Sequence, residues 1–457
     1  MKKIKDLYGE IEIPENVLWG ANTQRSLENF PIGYEKMPKV FIESMLHLKK
    51  AAAQANKKRL ILTEEKADAI IEACGFLLQQ EFMEHFPLSV WQTGSGTQTN
   101  MNVNEVVANI ANQNVPHLNI HPNDDVNCGQ SSNDVFPTSM HICSTLMIKR
   151  ELLPAMTRIE KILSTLSEET KLIIKIGRTH LQDATPITFG QEVSGWAYMF
   201  TEGIKQLHAI LPYFQTLSIG ATAIGTGVNT YEQFSKDVCQ FLNENLSESF
   251  TTSKNFFHAI STKDAFVFGH GALSAIATNT LKMANDIRWL ASGPRCGLGE
   301  ITLPANEAGS SIMPGKVNPT QCEALTMVCV QVMANNTAVL VGSSQGNFQL
   351  NTYMPVIMYN MWQSLHLLSD ALNSFNQRCL TGIKVNDEKM NQNLTTSLMT
   401  ATYLNKKLGY DQTSKIVKEA HTQGVSIKDV IIKHNIMSSE EFDEFFKYEE
   451  MIKPNTL

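Results

Sequence analysis

Between Ala324 and Ser369 the chain contains no Asp, Glu, Lys or Arg. A run of that length cannot lie against water along its whole surface, so it must be covered by lipid or by protein. Gln331, Asn335, Asn336, Gln345, Asn347 and Gln349 interrupt it. Each such amide would need a partner in hydrocarbon, which argues against a membrane span. The expectation is a helix enclosed by protein on every side. Charged residues make up 18% of the chain and hydrophobic ones 43%. The charged share falls below the usual quarter or so, which implies that much of the molecular surface is covered by further protein, most simply by other copies of the chain.

A length of 457 residues is enough for two to four domains. The net charge of −7, with no Lys/Arg cluster interleaved with aromatics, excludes nucleic acid and anionic membrane as partners. A small anion stays possible wherever local positive groups outweigh that field. Cysteines stand at 74, 128, 143, 239, 296, 322, 329 and 379 without a CxxC pair. This is reduced, intracellular usage, with no iron–sulfur or zinc spacing. The opening MKKIKDLYGEIEIPEN has no apolar core for a signal peptide and is too acidic after Lys5 for a transit peptide, so a cytoplasmic location is expected.

Periodicity predicts a mainly α protein. The first ~60 residues mix β-like runs (GEIEIP, VLWGA) with turn residues. Thr63 caps a helix that sets Ile70, Ile71, Cys74, Leu77 and Leu78 on one face. A second helix runs through NMNVNEVVANIANQ, with Val103, Val106, Val107, Ile110 and Ala111 in phase, and Pro116 stops it. Five long helical segments follow, approximately 134–167, 188–213, 262–291, 320–342 and 354–376, the pattern of an elongated bundle. The expected domains are 1–130, mixed and mostly helical; 131–387, the central bundle; and 388–457, a small helical domain with a capping box at Ser438 and Glu441. There is no repeat of fixed period and no low-complexity segment.

Four small-polar clusters break this rhythm: TGSGTQTN (93–100), GQSSND (129–134), GRTHLQD (177–183) and GSSIMPGKVN (309–318). Their hydroxyls, amides and helix-start N–H groups are hydrogen-bond donors, so a convergence of the four would suit a small polyanion. Taken singly, each also reads as an ordinary cap or turn. A phosphate loop is excluded, because five residues separate Gly309 from Gly315 and Val317 replaces the magnesium-binding hydroxyl. No GxGxxG lies in a βαβ setting. His117 and His121, with Asp124 and Asp125 nearby, are bracketed by Pro116 and Pro122, which prevent the helix that would align both imidazoles on a metal; no metal site is expected. Lys316 suits a point charge for a carboxylate, and Gly309 and Gly315 let backbone N–H groups approach a ligand and let the loop move. Ser310 and Ser311 are candidate nucleophiles or bases, and His180 is the best acid–base histidine.

GSSIMPGKVNP resembles the signature of the fumarase/aspartase superfamily. SGTQTNMNVNEV, HPNDDVNCGQSSND and KIGRTHLQDATP are similar to the class II fumarase versions of the other blocks, and the likeness spans essentially the whole chain. It implies a homotetramer free of metal and cofactor, with a twenty-helix core, acting on fumarate and L-malate in sites shared by three subunits. Substrate binding would fall to Ser95, Thr97, Ser131, Ser132, Asn133, Thr179, Lys316 and Asn318, with Ser310 as base on a closing loop. Glu323 would be the acid paired with His180. A second anion site would take His121, Asn123 and Asp124, but the basic residues that often precede this block are missing and LNI (118–120) stands there. Aspartases are the nearest alternative; Gln98 and Gly315 match fumarases, where aspartases tend to show GTSTN and PAKVN. A non-catalytic protein on this fold is disfavoured because Ser310, His180, Lys316 and Glu323 are intact.

The implied chemistry removes a proton beside malate's carboxylate and gives an aci-carboxylate with one more negative charge, where binding must be strongest. A serine can act as base only where donors favour its alkoxide. The general acid could be a His180–Glu323 relay, a water it orients, or another group.

Overall fold

The computed structural model describes residues 1–454 and is mainly helical. The chain divides into two compact units, each assembled from separate stretches. One comprises Met1–Pro154, Gly203–Thr278 and Val328–Ser369, and the other Ala155–Glu202, Asn279–Met327 and Asp370–Leu457.

In the first unit, strands β1 (Lys2–Asp6) and β2 (Gly9–Ile13) form an antiparallel hairpin in which Lys2 faces Ile13. Alternation in GEIEI buries Ile11 and Ile13. VLWGA, read as β-like, is not a strand: helix α1 (Ala21–Asn29) begins inside it. The cause lies far along the chain. Glu105 accepts hydrogen bonds from the N–H groups of Gly20, Asn22 and Thr23 and from Thr23 Oγ1, satisfying the donors of the helix start. Helix α2 (Lys39–Lys58) also lies in the stretch read as strands and turns. Phe41, Ile42, Met45, Leu46 and Leu48 are fully buried there.

Helix α3 (Glu64–Leu77) starts as its sequence predicts, with Thr63 Oγ1 accepting the Lys66 N–H at 3.4 Å. Helix α4 spans Thr97–Asn114, and its last turn ends just before Pro116. The first predicted long segment appears as α5 (Ser132–Met147) and α6 (Leu153–Glu169), joined by a wide π turn at Ile148–Leu152. Pro154 has no N–H to give the carbonyl four residues back, which accounts for a loosened turn at that point.

The other long segments are α7 (Phe189–Phe214), α10 (Asp264–Leu290), α11 (Thr320–Ser343) and α12 (Met354–Arg378), with α8 (Phe234–Leu246) and α9 (Phe256–Ser261) between the first two. Their bounds fall within a few residues of those read from periodicity. The enclosure expected for α11 is absent in the single chain. Met327, Val330, Leu340 and Val341 are half or more exposed, and by length and apolarity α11 would also suit a membrane span. Its amides are nevertheless paired within protein: Gln331 donates to Asn335, and Asn335 donates to Ser364 Oγ at 3.0 Å.

In the second unit, β3 (Ile174–Thr179) and β4 (Gln182–Thr188) form an antiparallel hairpin. Its base is tied down by buried charge. Glu300, fully buried, bonds Arg178 at 2.6 Å, lies 3.1 Å from the Lys175 ammonium and accepts from Asn393 at 2.9 Å. Burial alone would raise the Glu300 pKa, but the Arg178 hydrogen bond and the Lys175 charge outweigh it and hold the carboxyl below its ordinary value. The chain ends in short helices from α13 (Asp387–Thr396) through α14 (Asn405–Leu408), α15 (Tyr410–Gln423) and α16 (Ile427–Lys433) to α17 (Ser439–Phe445). Leu404, Ile416, Val430, Ile431 and Phe442 form their core, and the Ser438–Glu441 capping box starts the last one.

Candidate active site

The predicted site residues fall into two groups, each carried by a different unit. In the first unit, Gly96 is the N-cap of α4 with φ +71°, and a Cβ there would meet the Phe136 ring at 2.0 Å. Only glycine allows this approach. The turn it makes brings Ser95 Oγ and Thr97 Oγ1 to 2.8 Å. Ser131 caps α5 by accepting the Asn133 N–H, while Asp134 completes a capping box by accepting the Ser131 N–H. The other Asp134 oxygen takes the N–H groups of Gly220 and Thr222. Burial pushes the Asp134 carboxyl up to about 6 against those bonds. Ser131 and Ser132 line a polar hollow of about 350 Å3 with Asn100, Asn123, Asn127 and Gln130. Asn133 turns its amide to Ala223 O at 2.8 Å.

In the second unit, the opening loop of α11 is closed on itself. The Gly309 N–H donates to Lys316 O at 3.0 Å, and Asn318 Nδ2 donates to Gly309 O at 2.7 Å. A Cβ on Gly309 would lie 2.3 Å from Lys316 O, so glycine is required for this closure. Inside the loop, Ser310 Oγ accepts the N–H groups of Ile312 at 3.3 Å and Met313 at 3.1 Å. Two such donors favour the deprotonated oxygen over the hydroxyl. Lys316, Asn318 and Glu323 line one hollow of about 850 Å3 with Arg288 and Trp289.

Thr179 and His180 occupy the tip of the β3–β4 hairpin. GRTHLQD thus forms a two-residue turn ahead of a further strand, and a helix follows only at Phe189. His180 and Leu181 both have positive φ, +57° and +59°, a turn geometry that glycine and asparagine adopt more readily. A histidine held there is a backbone strain of the kind that clusters at functional sites. His180 and Glu323 are both exposed in the single chain.

The residues of the second anion block sit on a π turn, Pro122–Val126. His121 Nδ1 accepts the Asp124 N–H, making the imidazole a cap. The adjoining Asp125 is bonded to Lys66 at 2.9 Å, so that ammonium is already neutralised. Sequence reasoning passes over Lys49, Asn100 and Asn127, which are hydrogen-bonded in a chain that ends on Ser132. A signal for the first was present: Lys49 shares its helical face with Met45, Leu46, Ala52 and Ala53, all buried.

Residues 9–334 match the family described as Lyase, and residues 401–453 match Fumarase C C-terminus. The Fumarate hydratase class II of Helicobacter pylori (strain J99 / ATCC 700824) is 52% identical over 454 residues, which is 98% of this chain and 98% of that one. The Fumarate hydratase class II of Bacillus cereus is 50% identical with the same coverage. Among solved structures, the class II fumarase from Schistosoma mansoni superposes with a TM-score of 0.95 at 37% identity, covering 100% of both chains. The fumarate lyase:delta crystallin from Brucella melitensis bound to cobalt gives 0.94 at 36% identity, covering 99% of this chain and 100% of that one. With relatives this similar along nearly its full length, the chain belongs to the class II fumarate hydratase family of lyases.

Proposed function

We propose that the protein catalyses the reversible anti addition of water to fumarate, giving L-malate, in the cytoplasm and without a bound metal or cofactor. In the dehydration of malate, Ser310 takes the proton from the carbon beside the carboxylate. The pair of electrons moves into that carboxylate, which becomes an aci-carboxylate, and then returns to form the double bond as the hydroxyl takes up a proton and leaves as water. Lys316, Asn318, Ser95, Thr97, Ser131, Ser132, Asn133 and Thr179 supply donors to the anion as its charge grows. His180, paired with Glu323, serves the departing hydroxyl directly or through a water. This is a step of the tricarboxylic acid cycle.

The observation that carries this reading is the pair of backbone N–H groups on Ser310 Oγ, in a loop that also holds Lys316 and Asn318. A homotetramer with each site drawn from three chains accounts for two further features. The site residues are divided between the units, and α11 has an uncovered apolar face. The test is the absorbance of fumarate's conjugated double bond with pure, chelator-treated protein, beside an assay of aspartate deamination. Turnover of fumarate alone supports the proposal; release of ammonia from aspartate, or no turnover until metal is returned, contradicts it.

A further inference from the structure

Lys49 is fully buried on α2, and among the described residues its ammonium donates only to neutral acceptors, Asn127 Oδ1 at 2.7 Å and Gln130 Oε1 at 3.0 Å. The carboxylate whose charge acts on it, Asp134, already accepts three backbone N–H groups. Burial pushes the Lys49 pKa down to about 7. An ammonium withdrawn from water without a bonded carboxylate costs several kcal/mol, and such groups concentrate where a ligand's charge will offset them.

The bonds beyond Lys49 lead to a residue already assigned to the anion. Asn127 Oδ1 accepts a second hydrogen bond, from Asn100 Nδ2 at 3.1 Å, and Asn100 Nδ2 also donates to Ser132 Oγ at 3.0 Å. Both amide hydrogens of Asn100 are thereby used, while its Oδ1, buried, has no partner. Because Ser132 Oγ is an acceptor here, its single proton is left to be donated elsewhere. Ser132, Asn100, Asn127 and Gln130 all line the same hollow of about 350 Å3. Without Lys49, this hydroxyl-rich cup would add only neutral groups to what Lys316 offers the dianion.

We propose that Lys49 is a positioning residue for the dianion: it locks Asn127 and Asn100 so that the Ser132 hydroxyl donates into the hollow, and it gives the hollow a positive potential. This rests on the reading of Ser132 as a substrate-binding residue. A lysine that merely ties the 127–130 loop to α2 would leave affinity for the anion unchanged in whatever protein folds.

The test uses the full-length assembled protein with Lys49→Met and Asn127→Asp. The second change is nearly isosteric and keeps an acceptor for both neighbours; it gives up the Asn127 Nδ2 bond to Gln130 O at 3.2 Å and sets a carboxylate against the ammonium, cancelling its charge. In both variants the KM for fumarate and the inhibition constant of succinate should rise about tenfold, while kcat changes less than about threefold. If Lys49→Met does not fold, Asn127→Asp decides the question. Unchanged succinate inhibition in Asn127→Asp overturns the inference while leaving the hydratase reading intact. Absence of fumarate turnover in the unmodified protein assayed beside them overturns both.

Discussion

The Met313 N–H lies 3.1 Å from Ser310 Oγ and donates to it, inside a loop closed by the Gly309–Lys316 hydrogen bond. An oxygen in that position loses its own proton more readily than an ordinary serine hydroxyl, because the donors stabilise the charge that remains, so more of it is available as a base. Ser310→Ala should therefore lower kcat by about 10²–10⁴-fold, with KM changed severalfold at most and the far-UV circular dichroism unaltered. Steady-state kinetics on the purified variant check this; near-normal turnover would remove Ser310 from the mechanism.

The buried charges at the base of the β3–β4 hairpin should be a point of structural vulnerability. Glu300→Ala leaves Lys175, 1% exposed, and Arg178 without their shared partner. Lys175 keeps Glu192 at 2.6 Å, so the charge left uncompensated is that of Arg178, and stranding it costs about 3 kcal/mol. Urea denaturation should show a clearly lowered midpoint, and Glu300→Gln, which retains an acceptor for Asn393, should fall between the two. A midpoint equal to that of the unmodified protein would mean that water reaches these side chains.

His270 sets part of the acid sensitivity. Its Nδ1 faces Asn336 Oδ1 at 3.2 Å and its Nε2 faces Ser364 Oγ at 2.8 Å. The carbonyl oxygen requires a proton on Nδ1, so Nε2 accepts from the serine and the ring is neutral. Burial pushes its pKa down to about 4. Below about pH 6.5 the unfolded chain takes up a proton that the folded one refuses, so this contribution to stability is complete above pH 6.5 and is lost as pH falls toward 4. His47 and His141 are also pushed down to about 4 by burial. His270→Gln should therefore reduce the slope of urea midpoint against pH between pH 6.5 and 5. An unchanged slope would show that His270 titrates alike in both states.

The helices whose ends carry chemistry of their own were the legible ones. Thr63 before α3, Ser438 with Glu441 before α17, and the long periodic runs of α10, α11 and α12 all appear close to where their residues indicate. Helix α2 was missed: it lies in the stretch read as β-like runs and turns. The α1 start was not legible, because its donors are satisfied by Glu105 on another helix. Nor was the hairpin at His180, since neither His nor Leu advertises a turn with two positive φ angles. Motifs marked each polar cluster as a place for an anion. The support behind them, from Lys49 through Asn127 and Asn100 to Ser132, spans stretches of sequence too distant for spacing to reveal.

The central claim is that no one chain holds a complete site. It is tested most directly by mixing two inactive variants, Ser310→Ala and the double variant Thr97→Val/Asn133→Ala, then unfolding and refolding them together. If Ser310 of one chain meets Thr97 and Asn133 of another, random assortment of a 1:1 mixture restores about a quarter of the unmodified activity, because half of each contribution is intact at any site. A mixture that refolds into the assembled state and remains as inactive as either variant alone would contradict the account.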